Sequence, residues 1–552
     1  MRTPIALALL LMPAAPAVGQ LSPEQKALDF QELAAVYARQ YAPYEWKRTA
    51  FGLDIFRIGP WLDRVRATRD DLDFFEVCVE FVASLNDAHD VFRLPSVFSA
   101  TLGFSTDIYD GRVLIDSISR ARLPARDYPF QNGDEVVSVD GVTAGDLVAR
   151  FEKYSISANE RSTRRSAAAR ITVRSQRVMP HAHEIGDKAI IEIRRQSGEL
   201  ETYNLPWQKT GDPLTVVGPV PSPKLRAARA AEEVHLKQLA GLENELLPEP
   251  ADVLNYGALS PVFALPSGFV TRLGRFFLDS FYTGTFESGG FKIGYLRIPS
   301  FAPASTARAI RDLETEIAFL QANTDGLIVD EMRNPGGNAC YNEEVLRRLI
   351  HYPFVVNGRR LRATTQWILT FSAAFEAGRR QGAPKTLLDQ IEKRLHEVEA
   401  AYRENRGLTG PISVCALTPG FDRLPAAVVY SKPLIVLVDE FSASAADSFA
   451  AMMQDNKRGP LVGMRTMSAG GNVSTTYTGF YSEGLTSVTQ SLNLRRQPVV
   501  TNEYPAAALI ENIGVRPDIE VDYMTKENLL EGGRPFLEKA IAAVVEHIKA
   551  GR

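Results

Sequence analysis

Apolar and polar positions change their period twice along this chain. Between residues 22 and 95 apolar residues recur at helical spacing, with Leu28, Leu33 and Tyr37 followed by Phe74, Val77, Val82 and Leu85. The spacing predicts a helical N-terminal region over 20–100. From residue 103 the period shortens. Val113-Leu114-Ile115, Val136-Val137-Ser138-Val139, residues 189–193 and residues 202–205 are short apolar runs bounded by glycine, aspartate and serine, which predicts strands. They outline a β-rich module over 101–208, interrupted near 153–186 by a polar, Arg-rich insert. Residues 209–280 open with Pro213, Pro219, Pro221 and Pro223 and continue as a charged stretch, the pattern of a connector or activation segment.

From 281 to 530 strands alternate with helices. Residues 293–298, 326–330 and 433–438 read as buried strands. Ile310, Leu313, Ile317 and Leu320 form one helix face. A second helix is expected from 341 and a third over 446–456, ahead of Leu461-Val462-Gly463. Residues 384–405 predict an amphipathic helix with Leu388, Ile391, Leu395 and Val398 inward, within a helical insert over 375–410. A C-terminal helix is expected over 531–552. Such alternation implies an α/β layer with a mostly parallel sheet, and functional residues collect at the ends of its strands. The expected class is α/β, with a helical N-terminal part and a β-rich domain preceding the core.

Length and composition narrow the picture. A chain of 552 residues exceeds one hydrophobic core, so several domains are expected. The formal net charge is −4 and no basic stripe occurs, which argues against a nucleic-acid partner. Residues 1–19 differ from the rest. Arg2, an apolar stretch over 5–12, and Ala15-Pro16-Ala17 or Ala17-Val18-Gly19 together read as a secretory signal, predicting export to the periplasm or beyond the cell. No later run approaches the roughly 18 apolar residues of a membrane span. Cys78, Cys340 and Cys415 allow at most one internal disulfide, and Cys78, inside an apolar run, reads as core. No His-Glu-x-x-His, phosphate-binding glycine loop or dinucleotide fingerprint is present, so no metal or cofactor is expected. His181, His183 and Glu184 read as a loop.

Five segments carry candidate chemistry. After the apolar run 434–438 comes Ser442-Ala443-Ser444-Ala445-Ala446-Asp447-Ser448, a tight turn into a helix. A serine there exposes its hydroxyl beside a helix N-terminus; it also suits a helix cap, and Ser442 and Ser448 compete for the role. Asp330-Glu331-Met332-Arg333-Asn334-Pro335-Gly336-Gly337 ends a strand in a glycine turn whose amides can face an oxyanion. Asn86-Asp87-Ala88-His89 offers an imidazole base, a scarce resource in a chain with 7 histidines. Ile510-Glu511-Asn512-Ile513-Gly514 supplies a carboxylate that can orient a base. Gln131-Asn132-Gly133-Asp134, the strand 135–139 and Asp140-Gly141 read as a turn, a strand and a hairpin turn that can receive an added peptide strand.

Together these residues resemble the tail-specific, or C-terminal processing, serine proteases and their tricorn-like relatives. Residues 133–141 look like the end of a PDZ domain, 330–337 like the family's Asn-Pro-Gly-Gly turn, and 442–455 with 461–466 like its nucleophile strand, helix and next strand. The resemblance implies a crotonase-like ββα core and places Ser444 on the nucleophile. Processing proteases carry a lysine base where this chain has Ala469. The pattern is therefore more similar to the chlamydial type, which uses Ser–His–Glu, and the resemblance implies Ser444, His89 and Glu511 as catalytic residues. Backbone N–H groups of Ala445 and of Gly336 or Gly337 would form the oxyanion hole. Protein or peptide substrates, self-cleavage and a homodimer are further implications. Two other readings share the fold: a binding protein that has lost proteolysis, and an esterase.

Overall fold

The computed structural model describes residues 20–218, 254–276, 278–413, 415 and 420–551. The expected signal segment and the charged part of the connector lie outside them. The largest unit is a seven-stranded sheet. Its spatial order is Val270–Leu273, Tyr282–Ser288, Phe291–Arg297, Gly326–Asp330, Leu434–Val438, Leu461–Gly463 and Ile519–Glu520. The first three strands pair antiparallel and the remainder parallel. Both central strands are buried throughout, which is why each reads as a continuous apolar run. Leu327, Val329, Leu434, Val436 and Val438 face the helices Thr306–Asn323, Ala339–Leu349 and Ala445–Asp455. Ile328, Ile435 and Leu437 point the other way, onto Phe536, Leu537, Ala540 and Val544 of the helix Arg534–Ala550.

The β-rich module is an antiparallel sheet running Phe104–Tyr109, Arg112–Ile118, Glu135–Val139, Lys188–Arg194 and Leu200–Pro206. Asp140 and Gly141 both take positive φ, 52° and 76°, as a two-residue hairpin turn requires. The Arg-rich insert is not a solvated excursion. Its helix Glu160–Ala169 packs on the strand Phe104–Tyr109, with the Thr106 hydroxyl donating to the Ala168 carbonyl at 2.8 Å. Arg165 is buried between Asp107 at 2.6 Å and Glu440 at 3.0 Å, joining this module to the α/β unit. Burial alone would raise Glu440, but Arg165 and Arg161 hold it below the ordinary carboxylate range. The insert helix thus covers the strand Phe104–Tyr109, at the far side of the module's sheet from Leu200–Pro206.

The N-terminal region forms the helices Pro23–Gln40, Tyr44–Phe51, Gly59–Arg66 and Asp71–Ala83. Leu33, Tyr37, Phe74, Val77, Val82, Leu85 and Cys78 are buried in one core; Leu28 is 44% exposed and faces out. Sequence periodicity did not announce the β-ribbon Val473–Thr478/Gly484–Thr489, which pairs with Phe92–Arg93. The Tyr37 hydroxyl donates to the Ser487 carbonyl and the Ala42 N–H to the Thr489 carbonyl, each at 2.8 Å. The ribbon therefore ties the helical region to the α/β unit. The helical insert is two helices, Thr365–Arg380 and Lys385–Arg403, and begins at Thr365 rather than 375. Ile391 and Val398 are buried, while Leu388 and Leu395 are only half-buried. Cys340 and Cys415 form a disulfide, with Cα atoms 5.4 Å apart.

Candidate active site

Ser444 stands where the strand Leu434–Val438 gives way to the helix Ala445–Asp455, with φ 58° and ψ −108°. A non-glycine residue there costs about 1–3 kcal/mol and survives only where its surroundings over-determine it. Asp447 supplies that restraint. Its Oδ2 accepts the N–H groups of Ser444 at 2.8 Å and Ala469 at 2.9 Å. Its Oδ1 accepts the Ser468 N–H at 2.9 Å and the Thr466 hydroxyl. Burial pushes the Asp447 carboxyl up to about 7, with these hydrogen bonds pulling it down. Ser442, a rival for the nucleophile, spends its hydroxyl on the Glu331 carbonyl at 3.0 Å. Ser448 is buried one turn into the helix.

The glycine turn lies directly against Ser444. A Cβ on Gly336 would come within 2.6 Å of the Ala443 carbonyl oxygen and 2.8 Å of the Ser444 Cβ. Both Gly336 and Gly337 take positive φ, 94° and 133°, so glycine is required on conformational and spatial grounds. The Ala443 N–H donates to the Asn334 carbonyl at 2.9 Å, fixing one turn to the other. Gly336 donates its own N–H to Asn334 Oδ1 at 2.8 Å. That amide is committed to the turn, which leaves Gly337 as the better of the two glycine donors.

His89 reaches this place from the N-terminal region. Asp87 Oδ1 accepts the His89 N–H at 2.9 Å, and the Ser487 hydroxyl donates to the His89 carbonyl at 2.5 Å. Ala88 packs in one apolar cluster with Phe441, Ala443, Met467 and Ala469, so the histidine turn sits beside the Ser444 turn. The imidazole is 6% exposed, and among the described residues neither ring nitrogen has a hydrogen-bond partner. Burial pushes it below the ordinary histidine range; Asp87 opposes this, while Arg359 and Lys47 add to it. Neutral imidazole is the form a general base needs.

Glu511 is wholly buried. Its Oε2 accepts the Gly470 N–H at 3.0 Å, one residue beyond the Ala469 amide held by Asp447. Its Oε1 accepts from Lys47 Nζ at 2.6 Å. Burial, aided by the Asp87 charge, pushes Glu511 up to about 7; Lys47 and the Gly470 amide work against the rise. The structure therefore brings the serine, histidine and glutamate segments together, but Glu511 bonds Lys47 and Gly470 and not His89. Lys47 and Asp447 were missed as functional residues. Asp447 stands three residues after a helix cap, a readable spacing. Lys47 lies 464 positions from its partner and gives no local signal. No group of three or more His, Cys, Asp or Glu among the described residues is arranged to hold a metal, and no described helix is long and apolar enough to cross a membrane.

Residues 292–521 match the family model of peptidase family S41, and residues 98–216 that of a PDZ domain. Residues 292–521 are a peptidase family S41 domain. The domain is that of a serine-type peptidase. A protein of Chlamydia trachomatis is 24% identical over 92% of this chain and 90% of its own length. One from Chlamydia muridarum is 25% identical over 95% and 93%. The solved structure of mature CPAF complexed with lactacystin shares the fold, with a TM-score of 0.75 and 22% identity over 96% of this chain and 99% of that one. Ser444, both glycines and Glu511 lie inside the S41 domain. His89 and Lys47 lie outside both matched regions.

Proposed function

We propose that this chain is an exported serine endopeptidase working with Ser444, His89 and Glu511. The observation that carries the reading is the strained Ser444 turn, braced by Asp447 and pressed against the Gly336–Gly337 turn. Ser444 Oγ attacks the substrate carbonyl carbon and its proton passes to His89. The oxyanion settles on the N–H groups of Ala445 and Gly337. As the tetrahedral centre collapses, His89 returns the proton to the departing amine, and water repeats the cycle on the acyl-enzyme. A carboxylate has about four acceptor positions, so Glu511 retains room for a His89 N–H beside Lys47 and Gly470. The unpaired imidazole of the structure completes its contacts when substrate binds.

Export is supported by residues 1–19 and by the Cys340–Cys415 disulfide, a bond of oxidising compartments. A fluorophosphonate probe tests the nucleophile: wild type is labelled and Ser444→Ala is not. Ser444→Ala, His89→Ala and Glu511→Ala are each expected to lose about 10^4-fold or more in turnover of an unstructured protein. Unchanged cleavage by Ser444→Ala would remove the assignment. N-terminal sequencing of the protein recovered from periplasm and medium tests export, with cleavage expected before residue 20.

A further inference from the structure

We propose that Lys47 is a positioning residue for the Glu511 carboxylate, delivered to the active site by the N-terminal helical region. The inference deepens the Ser–His–Glu reading and rests on it. Lys47 is fully buried, and its ammonium has three donors. All three are in use: Glu511 Oε1 at 2.6 Å, Asn512 Oδ1 at 2.7 Å and the Asn86 carbonyl at 2.7 Å. The surrounding bonds close a small network. Trp46 Nε1 donates to Asn512 Oδ1 and Asn512 Nδ2 to the Asn86 carbonyl, each at 3.0 Å. Asn86 takes a positive φ of 51° and opens the turn that presents His89. One lysine thus binds the acid, the residue after it and the turn that carries the base.

The charge is as telling as the geometry. Glu511 faces Asp87 and Asp90 from the histidine turn and the buried Tyr41 hydroxyl from the helical region. His89 faces Arg359 from the strand Gly358–Leu361. Among these groups Lys47 is the cation in hydrogen-bond contact with Glu511. A buried carboxylate surrounded by other acids holds its proton unless a cation offsets them. A protonated Glu511 cannot stabilise an imidazolium. Lys47 is badly placed to act as the base itself, since all three of its donors are spent on these acceptors.

The test is the pH profile of kcat for Lys47→Met, beside Glu511→Gln and the double variant, each checked for folding by circular dichroism. An opposite charge in contact holds a carboxyl down by about 1–3 pH units. The acid limb of Lys47→Met is therefore expected to move up by at least ~1 pH unit. Its kcat at pH 7 falls roughly fivefold or more and recovers at alkaline pH, with KM little changed. In the Glu511→Gln background the Lys47 substitution moves nothing further. A folded Lys47→Met with an unmoved limb, beside a damaged Glu511→Gln, overturns the inference alone. A fully active Glu511→Gln overturns the triad reading instead. Should Lys47→Met fold poorly, Lys47→Gln, which keeps a donor but no charge, decides by the same limb.

Discussion

The serine side and the histidine side of this site are built by opposite means. Ser444 is held by its own neighbourhood: a strand, a turn and a helix in one short stretch, with Asp447 three residues away closing the turn. His89 is held by loans from elsewhere. Its carbonyl rests on Ser487, Thr489 bonds Asp87 and Asp90, and Lys47 secures the turn from a second helix. The first arrangement folds with the sheet. The second exists only once the helical region has docked on the β-ribbon. On the proposed reading, a nucleophile under backbone strain needs local rigidity, whereas a base brought from afar can be withheld, and so offers a point of control.

Breaking the serine side is expected to have the larger effect. Gly336→Ala places a methyl against Ala443, Ser444 and Ala445 at a φ of 94°. Moving the turn displaces both the nucleophile and the oxyanion donors, and the loss of one such donor already costs about 10^2–10^3-fold. A kcat loss at or above that range is expected, along with loss of fluorophosphonate labelling. A labelled, active Gly336→Ala would show that the turn has slack and that the two sides are less unequal than described. Asp447→Ala comes next. It strips the acceptor from the Ser444, Ser468 and Ala469 amides and from the Thr466 hydroxyl. Each buried donor left unpaired costs about 1–3 kcal/mol, and misplacing a reacting group by ~1 Å costs about 10^2-fold. Both a lower Tm and a kcat loss of that order are expected, read by thermal melting and steady-state kinetics.

The same asymmetry governs what could be read from the sequence. The central strands 326–330 and 434–438 were legible because burial on both faces leaves continuous apolar runs. Ser444, its helix and the Asn-Pro-Gly-Gly turn were legible because each is a strand end, a small-residue turn and a helix start written in one short stretch. The Asp140-Gly141 hairpin was legible because two consecutive positive φ angles demand such residues. The β-ribbon 473–489 was not. Its serines and threonines look like loop, and only the docked helices make its inner face a core. The burial of Arg165 was not legible either, because its partners are distant in sequence, Asp107 on a strand of its own module and Glu440 in the α/β unit. The Lys47–Glu511 pair has no sequence signature as a pair, since its members lie 464 positions apart.

The histidine side is sharpened by pH. Burial raises Glu511 to about 7, so its proton is lost only as pH climbs through neutrality. Burial lowers His89, so the imidazole is neutral at lower pH than an ordinary histidine. Activity is thus expected to rise through about pH 7 on Glu511, falling roughly tenfold per unit below it, with a second, steeper break under 6.5 on His89. Stability runs in the opposite sense. Asp447 and Glu511 both have raised folded-state values, so their contribution is complete below their unfolded values and is lost as pH rises through about 7. Rate profiles and melting curves over pH 5–9 check both signs, and Glu511→Gln is expected to erase the limb at 7 while leaving the lower one. A single limb below 6.5 in wild type would place Glu511 outside the chemistry.

Ser487→Ala probes the smallest of these effects and the most diagnostic of a borrowed base. The Ser487 hydroxyl donates to the His89 carbonyl and accepts the Val91 N–H at 3.0 Å, pinning the histidine turn to the ribbon from both ends. It touches neither Ser444 nor Glu511. Its removal costs about 1 kcal/mol of restraint, and if all of it is lost from the transition state, kcat falls by roughly fivefold. The fluorophosphonate reaction at Ser444 is expected to slow in parallel, because labelling also needs the imidazole, while KM and the Cys340–Cys415 disulfide are unaffected. A variant that labels and turns over at the wild-type rate would mean the Ser487 hydroxyl is dispensable and that the ribbon holds the His89 turn through Thr489, which bonds Asp87 and Asp90.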